Sequence, residues 1–250
     1  MTLVTALLLF LSGFAAGAIN AVAGGGTFIT FAALSLAGVP PVSANATSSI
    51  TQFPGYVTST LAYRKDFARF LKPALGLALL STVGALGGSL LLLTLDDAGF
   101  SRLVPWLLIA ATALFAAGPW LKPKHRPDAA PVLGPVPGAI VQFLTAVYGG
   151  FFGAGMGVMM LATLGLTQAG DYHRLNALKN LLSIVIAAVA ILVFVSGGLV
   201  TWPAALVMIP GVAVGGYAGV YIARRLPQPV LRGFVIVVGL ALSAYYFARG

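Results

Sequence analysis

Apolar runs follow one another along almost the whole chain, at residues 3–23, 26–38, 44–63, 71–95, 102–121, 136–154, 156–168, 176–197, 203–223 and 230–247. Short polar, glycine-rich or proline-rich breaks separate them. The runs exceed the roughly 9–11 residues of a membrane barrel strand, and most approach the roughly 20 residues of a helical crossing. In lipid the backbone must satisfy its own hydrogen bonds, so the pattern predicts an all-α transmembrane helical bundle. The second and seventh runs are too short to cross, and they read as half-helices or the returning arms of hairpins.

One ungapped shift of 131 positions (155 − 24) relates the two halves. It carries Ala23, Gly24 and Gly26 to Ala154, Gly155 and Gly157, Asn45-Ala46 to Asn176-Ala177, and Gly84 and Gly88 to Gly215 and Gly219. The chain therefore reads as a duplicated unit of five segments: residues 1–121, a linker at 122–133, and residues 134–250. Hydrophobic segments interrupted at matching places in two halves point to the binding site of a secondary transporter.

Composition agrees with a membrane solvent. Charged residues are 8% of the chain and hydrophobic ones 59%, against roughly 25% charged in soluble domains. Mean hydropathy is +1.00. The net charge of +9 raises nucleic acid as a partner, but the basic residues cluster at segment ends, which is an orientation signal, and nucleic acid is excluded. Arg64, Lys65, Arg69 and Lys72 place the loop after the third segment in the cytoplasm, as Lys122, Lys124 and Arg126 do for the linker. In the second half the basic loop is instead the one after the fourth segment, with Arg224, Arg225 and Arg232. The halves are thus expected to be inverted repeats, each with a glycine-broken helical hairpin, and both termini are expected outside. With no basic n-region, Met1 onward reads as the first membrane segment and not as a signal peptide.

Candidate chemistry concentrates at the breaks and at the start of the third segment of each half. Gly24, Gly25 and Gly26, followed by Thr27, interrupt the helix and leave backbone N–H donors at the positive end of the next one, a geometry suited to an anion. Gly153, Gly155 and Gly157 repeat it. Asn45, Ser48, Ser49 and Gln52 share one helical face, and Asn176, Lys179, Asn180 and Ser183 share its counterpart. Bridging between helices is the competing reading for these side chains, as close helix packing is for Gly84/Gly88 and Gly211/Gly215/Gly219, where it is preferred. The glycosylation pattern Asn45-Ala-Thr47 lies too deep to be used. Lys179 either snorkels to the surface or is an intramembrane functional cation; Arg174 has the weaker claim. Asp66, Asp96, Asp97, Asp128 and Asp171 read as loop residues, and there is no glutamate or cysteine. Cation sites and proton relays usually need buried carboxylates, so the inventory favours an anion. The lone histidines His125 and His173 make no metal site. Tyr63, Trp106, Trp120 and Trp202 read as interface aromatics, and so do Tyr56 and Tyr148 unless they face the cavity. No cofactor is implied, and an embedded enzyme would lack its nucleophile and base.

The stretches Gly17-Ala-Ile-Asn-Ala-Val-Ala-Gly-Gly-Gly-Thr-Phe28 and Ser43-Ala-Asn-Ala-Thr-Ser-Ser49, with their second-half echoes, resemble the TauE/SafE family of sulfite exporters. The resemblance implies a multi-pass protein of the bacterial inner membrane that moves sulfite, sulfoacetate or related small anions. It places Gly24–Gly26 and Thr47–Ser49 on motif positions, and Asn20, in the first of these stretches, is a further candidate for binding the substrate. The second half departs, with Gly155-Met-Gly157 for the triple glycine and Leu178-Lys179 for Thr-Ser. The expected function is secondary transport of small anions by alternating access. An anion channel and a carrier of non-sulfur organic anions are the alternatives. The expected partners are the substrate and the lipid bilayer, and a homo-oligomer is compatible with the sequence.

Overall fold

The computed structural model describes residues 1–23, 25–62, 71–121, 133–168, 172–222 and 228–249. The expectations for Gly24, Tyr63, Arg64, Lys65, Asp66, Arg69, Asp171, Arg224, Arg225 and most of the linker lie outside them, as do the side chains of Lys72, Trp120, His173, Gly219 and Arg232. The described residues form ten helices: α1 (Leu3–Ala23), α2 (Gly26–Leu36), α3 (Pro41–Ala62), α4 (Leu71–Leu93), α5 (Asp97–Leu121), α6 (Pro135–Phe151), α7 (Met156–Thr167), α8 (Tyr172–Ser196), α9 (Trp202–Ile222) and α10 (Gln228–Arg249). Four helical stretches, at Leu3–Ala21, Ala74–Leu93, Asp97–Ala117 and Arg174–Ser196, are long and apolar enough to cross a membrane. The helices α2 and α7 have 11 and 12 residues and are too short to do so.

The helices α3 and α5 start earlier than the apolar runs suggest, because their first turns are held by a proline and a carboxylate. Pro41 opens α3 with its φ preset for a helix, and the Val42 N–H donates to Asp97 Oδ1 at 2.9 Å. Asp97 is not a loop residue, as the sequence suggests, but the first residue of α5. There its charge also suits the positive end of the helix. Asp96 Oδ1 accepts from the Gly99 N–H at 2.8 Å. One carboxylate thus ties the start of α3 to that of α5. Asp97→Ala should cost about 0.5–2 kcal/mol, the usual worth of a helix cap, and thermal unfolding in detergent followed by circular dichroism should show it.

The bundle is apolar outside, and its largely apolar interior also encloses polar side chains. Leu7, Leu8, Leu79, Leu90, Leu192, Leu206 and Val237 are exposed, while Thr30, Thr47, Gln52, Ser81, Gln142 and Ser183 are wholly buried. The helices pair in a regular way. α1 runs along α9 and α4 along α6; α3 packs on α9 and α8 on α4; α2 meets α10 and α7 meets α5; α3 crosses α8 and α5 crosses α10.

Glycine makes the two longest pairings close. A Cβ at Gly215 would strike the backbone of Phe14, and one at Gly211 the Phe10 carbonyl. Likewise, a Cβ at Gly84 would meet the Phe143 carbonyl, and one at Gly88 the Val147 carbonyl. The packing reading for these glycines is the one the fold displays.

Candidate functional site

Both hairpins break where the glycines predicted, and the two breaks meet. α2 begins at Gly26 after Gly25, and α7 begins at Met156 after a turn through Gly153 and Gly155. Gly153 and Gly155 have φ of 73° and 75°, the left-handed region that a side chain rarely enters. The Thr27 hydroxyl at the start of α2 donates to the Gly153 carbonyl at 3.4 Å, so the first half reaches directly into the break of the second.

Non-helical backbone at membrane depth persists only where protein satisfies it. Here three side chains do so. Asn45 Nδ2 donates to the Phe151 carbonyl at 2.8 Å, Thr27 takes Gly153, and the Tyr148 hydroxyl donates to the Ala154 carbonyl at 2.7 Å. The break also caps its own helix, since the N–H groups of Met156 and Val158 donate to the carbonyls of Gly153 and Gly155 at 3.2 and 3.1 Å. Those first-turn donors are therefore engaged within the turn.

Thr27, Ser49, Tyr56, Gly149, Gly153, Met156, Ile186, Ala187 and Ala190 line a small cavity between α3, α8 and the second break. Its volume of about 10 Å³ is near the minimum for one water molecule, so a larger solute enters only if helices move. Tyr56, whose hydroxyl side approaches Asn20, forms part of the wall, as the sequence allowed.

The remaining expected residues divide clearly. Gly25 faces Phe115 and Val235, Gly26 presses against the Ala16 carbonyl and Asn20, and Gly155 lies against Ala111 and Phe28. These glycines allow close packing around the break and are not in the cavity wall. Thr47 accepts from the Thr201 N–H at 2.9 Å, in the turn between α8 and α9. Ser48 and Thr30 share a hydrogen bond of 2.6 Å, and Gln52 Nε2 reaches Thr30 Oγ1 at 3.5 Å; both tie α3 to α2. Gly157 is buried in the first turn of α7.

On α8, Asn176, Lys179, Asn180 and Ser183 are all buried. Asn180, Ser183 and Ala187 follow one another at helical spacing along one stripe, and Ala187 lines the cavity. Lys179 is 4% exposed, so its side chain lies inside the bundle and does not snorkel along it. Among the described residues it is the one buried charge, and no aspartate is buried with it. Asn180 Nδ2, Ser183 Oγ and Gln52 Oε1 have no hydrogen-bond partner. The exposed rings of Trp106 and Trp202 fit the interface reading, whereas Tyr148 serves the break.

The apolar lining residues Met156, Ile186, Ala187 and Ala190 were not anticipated. One signal existed for Ala187, which stands 131 positions (187 − 56) after Tyr56.

Comparison with known proteins gives a family match over residues 9–246, described as sulfite exporter TauE/SafE. The chain is 28% identical to a "Probable membrane transporter protein" of Haemophilus influenzae, over 95% of this chain and 92% of the relative. It is 29% identical to "Probable membrane transporter protein ORF9" of a Sinorhizobium species, over 94% and 89%. "Probable membrane transporter protein YfcA" of Escherichia coli K12 is 27% identical over 94% and 87%.

Proposed function

The chain belongs to the sulfite exporter TauE/SafE family, and from that premise we propose that it is a secondary carrier of small anions, sulfite, sulfoacetate or a related sulfur-containing anion foremost. It is a multi-pass membrane transporter and not an enzyme. The observation that carries the anion reading is the polarity of the α8 stripe. A buried lysine with no buried carboxylate among the described residues stands beside an amide nitrogen and a hydroxyl that have no partner. Such a site offers positive charge and donors, and an intramembrane ionisable group marks a substrate path by default.

The carrier reading rests on the duplication. The neighbour relations among helices repeat when each number is advanced by five: α1 on α9 becomes α6 on α4, and α3 on α9 becomes α8 on α4. The pairs α3/α8 and α5/α10 map onto themselves. This supports two repeats, residues 1–121 and 134–250, related by a two-fold axis through the α3/α8 crossing. With the flip in loop charge, the axis lies in the membrane plane, the arrangement of many alternating-access carriers. Location in a bacterial inner membrane, with both termini outside and the 122–133 linker inside, follows from the same charges and from the bacterial relatives.

Counter-flow in proteoliposomes tests the proposal. Vesicles loaded with unlabelled sulfite should accumulate labelled sulfite with saturable kinetics, and sulfoacetate should compete. Conductance that grows without saturation would make the protein a channel. Competition by carboxylates alone would move the substrate to non-sulfur organic anions.

A further inference from the structure

The mates α3 and α8 pack against one another, and their equivalent polar stripes are used in different ways. On α3 the side chains are spent on the protein. Asn45 holds the Phe151 carbonyl, Thr47 holds the Thr201 N–H, and Ser48 and the Gln52 amide hold Thr30. Ser49 donates back to the Asn45 carbonyl at 3.1 Å. Within this stripe the atom left over, Gln52 Oε1, is an acceptor, which repels an anion; the other unpartnered atom of α3, Thr60 Oγ1, lies two turns away near the end of the helix. On α8 the atoms left over are Asn180 Nδ2 and Ser183 Oγ, with Lys179 buried next to Asn180. A donor amide, a hydroxyl and an ammonium form an oxyanion's set of partners.

We propose that α8 supplies the direct ligands of the transported oxyanion through Lys179, Asn180 and Ser183, while α3 is the scaffold that holds α2 and the second break in place. The assignment rests on the anion-carrier reading and narrows it from two symmetric half-sites to one. Position along the helix fits. Ser183 lies one turn from Ala187 in the cavity wall, and Lys179 one turn beyond that, so the ligands extend from the cavity toward the start of α8. Burial energetics fit as well. An unpartnered buried polar group destabilises a protein, and two on one stripe are retained at a cost that a ligand removes by pairing with them. An adjoining apolar face of α8, with Leu175, Leu178, Leu182 and Ile186, sits in a cluster with Met156, Met160 and Leu164. Apolar contact is non-directional, so that face can shift along its neighbours when the cavity enlarges. Directional hydrogen bonds to α2, to the second break and to the turn between α8 and α9 give α3 no such latitude.

The two roles predict opposite signs in one experiment. Purified variants are compared for melting temperature without ligand, for its shift on adding sulfite or sulfoacetate, and for half-saturation of sulfite counter-flow. Ser183→Ala and Asn180→Leu remove unpaired atoms, so melting should stay level or rise. The anion-induced shift should vanish and the half-saturation concentration should rise about tenfold or more, as for loss of a hydrogen bond to a charged group. Ser183→Thr, which keeps the hydroxyl, should restore the affinity. Asn45→Leu and Ser48→Ala should lower the melting temperature, because each strips a partner from a buried bond. Ser183→Ala and Asn180→Leu with wild-type half-saturation, or with melting lowered as in Asn45→Leu, would overturn the assignment while the carrier reading stands. A wild-type protein that counter-flows no anion would defeat both.

Discussion

Lys179→Ala should reduce anion transport by at least about a hundredfold and leave the protein folded. A small anion in the membrane interior has lost its hydration shell, and a buried charge without its partner costs about 3–5 kcal/mol, where 1.4 kcal/mol is tenfold. The lysine is 4% exposed, so water replaces its charge poorly. The empty protein has little to lose by the change, since no buried aspartate accompanies the ammonium among the described residues. Lys179→Met, which fills nearly the same volume, should therefore elute and melt like the wild type. Lys179→Arg should recover part of the flux, because it returns the charge with a planar group that the site was not shaped for. Sulfite counter-flow and size-exclusion chromatography on the same preparations separate the two effects. Wild-type kinetics in Lys179→Ala would remove the lysine from the site.

Hydropathy and repetition carried much of the fold. Ten apolar runs became ten helices, and two glycine clusters became the breaks at Gly25–Gly26 and Gly153–Gly155, the second because a helix cannot pass unbroken through the left-handed Gly153 and Gly155. What stayed hidden was pairing over long separations. The bond from the Val42 N–H to Asp97 joins residues in different helices, and nothing near either one announces it. Asn45 and Ser49 look alike as candidates, yet Asn45 is spent on the Phe151 carbonyl and Ser49 faces the cavity. Periodicity can put two side chains on one face, but it cannot say which finds a protein partner. The apolar wall was hidden for a different reason, since Met156 and Ile186 are unremarkable residues in an apolar helix. The sequence repeat also concealed an asymmetry of use: Asn45 and Asn176 are mates, but the donors near Asn45 are spent on the protein, whereas Asn180 Nδ2 and Ser183 Oγ on α8 are left open.

Gly88→Leu should leave little folded protein, whereas Gly87→Leu, one residue away, should be tolerated. A Cβ at Gly88 would overlap the Val147 carbonyl and crowd the Phe151 N–H, while a Cβ at Gly87 would meet nothing within 4 Å. The obstacle at Gly88 is backbone, which cannot swing aside as a side-chain end can. Relief requires α4 and α6 to separate along their crossing. Overpacking in a core costs about 1–3 kcal/mol and at times more, and a rigid neighbour argues for the upper end, enough to lower abundance several-fold. The damage also reaches function by a direct route. α6 ends at Phe151, whose carbonyl Asn45 holds, and Gly150 is packed against Ala85 of α4. Pushing α6 outward therefore pulls the second break away from α3 and from Thr27. Gly87 is exposed on the apolar exterior, where a leucine meets lipid and replaces a poor helix former with a good one. Fluorescence-detected size-exclusion profiles and melting temperatures of the two variants make the comparison. A Gly88→Leu protein with wild-type elution and melting would show that the α4/α6 crossing is looser than these contacts require.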